Sequence, residues 1–303
     1  MSLKPFFVIA FLLVSLFSST QIFARETVLD LRVGYSQDFL QWSIASTPSG
    51  TVTPNILSEL TWRNLEIIQT YAGVESYLGS NQRLAFIGHI SYGSIYRGDN
   101  QDSDYNGDNR TGEFSRSNNS SDEGSTSSIS LALGYDFFEN SEFSLMPMLG
   151  YAENRQNLKM TNGFQTIPAN GAFAGLNSSY DAKWSGPWLG FKLGNRGDIR
   201  FYLDYRAHFV DYVGLADWNL RSDFQHPVSF RHDANGFGQT LQLGLVFDVN
   251  ETIALGMNYT YQDWQTDPGV DTIYFSNGAV GTTRLNEVVW TSDIYNFTIE
   301  VSF

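Results

Sequence analysis

Asp102 and Asp104 stand two residues apart in the run Asp102-Ser103-Asp104-Tyr105-Asn106-Gly107. Asp99, Asp108, Glu113, Asp122 and Glu123 crowd the same region, against only Arg110 and Arg116. On an extended backbone, side chains at i and i+2 leave the same face. Two carboxylates so placed suit two tasks: holding one water between them, or ligating one hard cation. The second task has a pattern of its own. Asp102 to Glu113 satisfies D-x-[DN]-x-[DN]-G-x5-E, the calcium loop of EF hands. Asp102, Asp104 and Asn106 would supply oxygens, Gly107 the sharp turn and Glu113 a bidentate carboxylate. Against this, no helix is readable on either side, Asn109 takes the usual apolar position, and Arg110 puts a cation where an acid often sits. Calcium is thus an alternative cofactor, and no other is implied. A third reading is a solvated acidic loop that keeps a surface hydrophilic.

The elements that position this pair begin with an export signal. Lys4 gives a short basic start, Phe6 to Phe17 an apolar run, and Ser18-Ser19-Thr20 a polar exit ending at Ala24. That is the pattern of a secretory signal peptide over residues 1–24, and its apolar run is too short for a spanning helix. Residues 25–303 then form one domain, with no linker or internal repeat. The chain has no cysteine, so disulfides contribute nothing to its stability. A net charge of −14 argues against nucleic acid as a partner and leaves basic peptides, cations or simple solubility.

The patterning is that of strands. From Tyr295 to Phe303 every odd position is apolar and every even one polar, and the last residue is aromatic. The same alternation marks Ile253 to Tyr261, Ile199 to Phe209 and Ile129 to Phe137. A soluble sandwich also alternates. Here the strands run long, the apolar face is crowded with aromatics, and an export signal precedes them. The combination predicts a transmembrane antiparallel β-barrel, apolar toward lipid and polar toward the lumen, with all backbone groups paired.

Turns count the strands. Short polar connections fall at Gly79-Ser80-Asn81, Glu139-Asn140-Ser141, Gly194 to Asp198 and Asp248 to Glu251. Longer polar stretches run over Ser46 to Thr53, Gly98 to Gly124, Asn157 to Tyr180, Asp217 to Asp233 and Gln265 to Glu287. Their alternation gives ten strands, both termini periplasmic and the long loops extracellular. About 9–11 residues cross a bilayer, and several of these strands are longer, so the barrel should rise above the outer leaflet. Ser115 to Ser130, rich in serine, reads as a mobile arm of the second long loop. The lumen carries Arg200, Asp204, Arg206, His208 and Glu300. Ten strands enclose too little room for a wide pore, which leaves chemistry to the rim. Trp42, Tyr71, Trp184, Trp188, Tyr261 and Trp264 are expected mostly in the interfacial girdle.

Several local stretches, in chain order, resemble the omptins, outer-membrane endoproteases of Gram-negative bacteria. Leu57-Ser58-Glu59-Leu60-Thr61-Trp62 is similar to their S-x-L-x-W, and Asp102-Ser103-Asp104-Tyr105 falls where they carry D-x-D-W. Pro187-Trp188-Leu189-Gly190 resembles their P-Y-I-G, and Tyr212-Val213 to Asp217 resembles the approach to their D-x-H pair. The resemblance implies a ten-stranded barrel with an aspartic-type endopeptidase site at the rim. The D-x-D and D-x-H pairs would face each other across a cleft and activate water to cleave basic peptides or proteins. It also implies outer-membrane lipid, lipopolysaccharide above all, as a partner. On this chain the roles fall to Asp102 and Asp104, which position the water, and to Asp217 and Asn219. The last is a departure. Asn219 stands in the place of the histidine, and an amide takes no proton at neutral pH; loss of a general base costs roughly 10²–10⁴ in rate. His226 and His232 lie in the same stretch as candidate substitutes. The alternative is a non-enzymatic surface barrel, active in adhesion or envelope structure.

Overall fold

The computed structural model of the chain describes residues 24–79, 83–138 and 142–303. All regular structure in it is β: β1 (Ala24–Ile44), β2 (Ser58–Leu78), β3 (Leu84–Tyr105), β4 (Glu113–Ser120), β5 (Gly124–Tyr135), β6 (Phe143–Ile167), β7 (Gly171–Ala172), β8 (Asn177–Asn195), β9 (Ile199–Asp217), β10 (Phe230–Asp248), β11 (Ile253–Thr266), β12 (Gly269–Tyr274) and β13 (Val280–Ser302). Each long strand pairs antiparallel with its neighbours, and β1 closes on β13 from Val28↔Ser302 to Ile44↔Leu285. The result is a ring of ten staves. Two staves are split: β4 continues β5 between β3 and β6, and β12 continues β11 between β10 and β13. The expected signal peptide lies outside the described residues, except Ala24, which begins β1. Of the turns expected at Gly79-Ser80-Asn81 and Glu139-Asn140-Ser141, all but Gly79 also lie outside them.

Alternation decides which way each side chain faces. Leu149, Phe201, Met257 and Phe297 are exposed on the outer wall, whereas Asp204, His208, Asn258 and Asn296 are buried inside. This is the lipid-facing and lumen-facing division that a membrane barrel requires.

The staves reach further than the alternation suggested. Gly98–Tyr105 and Glu113–Ser120 are paired strand, and β6 runs on to Ile167. The serine-rich arm is likewise not a loop, because Ser125 to Ser130 are paired to both β3 and β6. Above a bilayer both faces of a strand meet water or polar neighbours. The period-2 signal then fades while the hydrogen-bond ladder continues.

The aromatic residues also depart from expectation. Trp42, Trp184, Trp188 and Trp264 are buried inside the barrel, and Tyr71 covers Arg32 at 4.2 Å in the lumen; Tyr261 alone of the six faces outward and stays exposed. Their position in the alternation carries this information. Trp264 shares parity with lumenal Asn258 and Thr260, and Tyr261 with lipid-facing Met257.

Candidate functional site

β3 carries Asp102 and Asp104 to the upper end of the barrel. Asp102 pairs with Leu60 of β2 and Ser117 of β4, and Asp104 with Ser58 and Ser115. Leu60 and neighbouring Trp62 are buried in the interior, so the two carboxylates share the lumenal face with them. Burial, and then the charge of Asp104, hold the Asp102 carboxyl above the ordinary carboxylate range, against Arg221 and an indole N–H donated by Trp218. Burial raises Asp104 as well, opposed by the hydroxyls of Ser58 and Ser115 and by Arg221. Two half-buried carboxylates of this kind share a proton readily.

What faces them is set by the end of β9. Ala216 is aligned with Tyr180 of β8 and Phe230 of β10, all three buried inside. Trp218, of the same parity, packs its ring 4.7 Å from Phe230 and 6.5 Å from Trp42. The inward positions are therefore Ala216 and Trp218, and neither accepts a proton. Asp217 and Asn219 have the opposite parity, and a one-residue offset turns side chains to the other face.

Each of these two is engaged elsewhere. The Asn219 side-chain oxygen accepts from the Asn177 backbone N–H at 2.9 Å and the Ser178 hydroxyl at 3.0 Å, and its amide donates to the Gly175 carbonyl at 2.8 Å. Asn219 is thus a clamp between the end of β9 and the start of β8. Asp217 meets His226 Nδ1 at 2.5 Å, and both remain partly exposed. The structure brings Asp102, Asp104, Trp218 and Arg221 together, and holds Asp217, Asn219 and His226 in a separate set of contacts. Arg221 itself is bidentate on Asp223 and lies 4.3 Å over the Phe224 ring.

The Asp102–Glu113 segment does not take the form of an EF-hand loop. Asn106 to Gly112 is the tip of a tight hairpin, with Asn106 N–H to Gly112 O at 3.1 Å and Gly107 N–H to Thr111 O at 2.9 Å. Asn109 and Arg110 take left-handed backbone there. Glu113 pairs with Arg116 rather than turning to Asp102 and Asp104. Among the described residues no group of three or more acidic or histidine side chains converges to hold a metal ion. Ladder pairing sets Asp102 opposite Ser117, Asp104 opposite Ser115 and Tyr105 opposite Glu113, so Glu113 bears on Asp104 through its charge but lies further along β4 than the partner of Asp102. The tip is stitched instead to the β1–β2 loop and the start of β2: Asp108 accepts from Asn55 N–H (2.8 Å) and the Thr53 hydroxyl (3.0 Å), Asn55 and Asn109 exchange two bonds, and Arg110 pairs with Glu59 of β2.

His232 is fully buried. Its Nδ1 lies 2.8 Å from the Tyr180 hydroxyl, which is 2.6 Å from that of Tyr212, and its Nε2 lies 3.4 Å from Asp271. Enclosed beneath Trp42 and Phe230, it cannot serve a water at the rim.

A closed ten-stave antiparallel barrel, lipid-facing outside and polar within, is an outer-membrane barrel. The chain belongs to the Protochlamydia outer membrane protein family (Pom), whose model matches residues 30–303. Among solved structures it is similar to the outer membrane protease OmpT from Escherichia coli, with a TM-score of 0.76 at 13% identity over 93% of this chain and 98% of that one. At that identity the likeness is one of fold. The translocator domain of the autotransporter NalP from Neisseria meningitidis aligns with a TM-score of 0.39 at 12% identity, covering 91% of this chain and 88% of that one. No curated protein matches.

Proposed function

We propose that this chain is a non-enzymatic outer-membrane barrel whose rim carboxylates hold basic side chains of a peptide or protein without cleaving them. The observation that carries the reading is the parity at the end of β9, which puts Trp218 rather than Asp217 or Asn219 beside Asp102, so that a bound water there would have no base. Acceptor-only carboxylates beside the Trp218 face suit a guanidinium or ammonium group. Arg221, which pairs with Asp223 while its charge bears on both carboxylates, is the cation such a group would compete with. The start of β1 and the C-terminal residue meet at one end of the barrel, where the Phe303 N–H bonds the Thr27 carbonyl at 2.9 Å; this end is taken to face the periplasm and the rim the exterior.

A lipid partner fits the outer wall. Arg155 of β6 and Lys183 of β8 are directly opposed in the ladder, above the exposed Tyr151 and Leu149. Arg155 already pairs with Glu153 at 2.7 Å, and a further anion between Arg155 and Lys183 would offset the repulsion that remains. A phosphorylated headgroup of the outer leaflet, as in lipopolysaccharide, fits that position.

The test is a dibasic fluorogenic peptide offered to refolded protein in lipopolysaccharide-containing micelles. Binding is read by anisotropy and cleavage by fluorescence release. Saturable binding without cleavage, lost in Asp102→Asn/Asp104→Asn, is expected. A second reading, hydrolysis, is favoured by the Asp217–His226 pair, which has the form of a base and its orienting acid. Cleavage by the parent protein, abolished in His226→Ala, would establish it and overturn the first.

A further inference from the structure

Arg221 stands beside the rim carboxylates, yet another acid holds it. Its backbone N–H bonds the Trp218 carbonyl at 2.9 Å. That is one tight turn from the ring that packs on Phe230 and donates its N–H to Asp102. The guanidinium is bidentate on Asp223, at 3.0 and 2.8 Å, over the Phe224 ring, and the charges of Asp104 and Asp102 act on it as well. The backbone beneath is fixed. Trp218 N–H bonds the Ser229 hydroxyl at 2.9 Å, Gln225 N–H the Tyr274 carbonyl at 2.8 Å and Ser276 N–H the Asp223 carbonyl at 2.9 Å, which ties the loop to the β12–β13 hairpin. The side chains of the ion pair are in water: Arg221 is 53% exposed and Asp223 56%. A pair so exposed favours its closed form by a factor of only about two to five.

We propose that Arg221 is a guard on the rim cleft and that Asp223 restrains it: the guanidinium exchanges between Asp223 and the Asp102/Asp104 pair, and an incoming basic side chain takes the place it would otherwise fill. The proposal deepens the reading of the rim as a site for basic side chains and rests on it. A guanidinium offers the same planar donors to a carboxylate whether it comes from Arg221 or from a peptide. Two acidic sites thus compete for one internal cation. The β3 pair attracts it most strongly when both carboxylates are ionised, and Asp223 prevails when they share a proton. Glu113 of β4 adds its charge to Asp104 and is itself held by Arg116. Asp223 is therefore a positioning residue, acting on the ligand through Arg221. The bonds that fix the loop use the Asp223 carbonyl and not its carboxylate, so the side chain can be removed without loosening the hairpin.

Two measurements on the refolded protein test it, the first without ligand. Infrared difference spectra against Asp102→Asn/Asp104→Asn follow the loss of the protonated carboxyl band as pH rises. Asp223→Ala frees the guanidinium for the pair and should lower the midpoint, whereas Arg221→Ala should raise it. The second is anisotropy of the dibasic peptide. Its affinity should fall about two- to fivefold in Asp223→Ala and rise in Arg221→Ala. In both measurements Asp223→Ala should change nothing once Arg221→Ala is present. A fall or shift that persists in the double variant would make Asp223 a general attractive charge and overturn the guard, as would midpoints that do not move. A peptide that binds neither the parent nor any variant, with the midpoints shifted as expected, would sink the binding reading alone and leave the exchange of Arg221 established.

Discussion

Asn219 and Trp218 exchange the roles that their residue types suggest. Reading D-x-N by type puts Asn219 at the missing base, yet its amide holds Asn177, Ser178 and Gly175, and Trp218 occupies the inward position. Two substitutions separate the readings. Asn219→His should not create peptide cleavage, and should loosen the start of β8 by about 1–2 kcal/mol, seen as faster hydrogen exchange at Asn177 and Ser178. Trp218→His places an imidazole on the carboxylate face, and is the single change expected to yield cleavage above the parent's background. If Asn219→His cleaves and Trp218→His does not, the parity assignment fails. Titration gives a further expectation. Asp102 and Asp104 are held above their unfolded values, so the folded state binds more protons through that window and loses stability as pH rises across it. A bound cation favours the ionised pair, so affinity for a basic peptide should increase over the same rise in pH. In Asp102→Asn that dependence should flatten, as read by anisotropy across a pH series.

At the scale of elements, the legible parts were those in lipid. Where one face meets hydrocarbon, Ile253 to Tyr261 and Tyr295 to Phe303 alternate cleanly, and strand, face and pairing follow from the residues alone. Higher up, β4 and the upper ends of β3 and β6 are stretches of Ser, Asn and Asp whose pairing leaves no period, and they read as loops. The carboxylates were found by spacing, but their surroundings depend on registers such as Asp102↔Ser117 that no local pattern encodes. The inward face of Trp264 was readable in principle, since its parity is set by the strand below it. Treating tryptophan as an interfacial residue by type hid it. One element prediction concerns β12, which sits on β10 at Gly269. A Cβ there would lie 2.2 Å from the Asp233 carbonyl oxygen, so Gly269→Ala should push the two strands apart and raise exchange at Val270 and Asp271, leaving β11 unaffected.

Across the whole molecule, the ring is braced through its interior as well as around its circumference. Lys192 of β8 reaches Glu75 of β2 at 2.8 Å, and Tyr77 donates to the same carboxylate. Lys192→Met leaves a buried acid without its cation and should destabilise the barrel by about 3 kcal/mol, less in Lys192→Met/Glu75→Gln. Urea unfolding followed by tryptophan fluorescence reads both. The emission itself reports the lumen, because most of the indoles lie in it.

The stitched hairpin tip has a consequence for anything that meets this surface. Residues 53–59 and 108–110 are far apart in the chain but form one patch, held by Asn55, Asp108, Asn109, Arg110 and Glu59. An antibody raised against the folded protein would see a discontinuous epitope there and fail to bind either segment as a synthetic peptide. For the same reason the two loops cannot drift independently. A replacement at Asp108 withdraws the acceptor that orders Thr53 and Asn55, so natural variation in one segment should be accompanied by variation in the other.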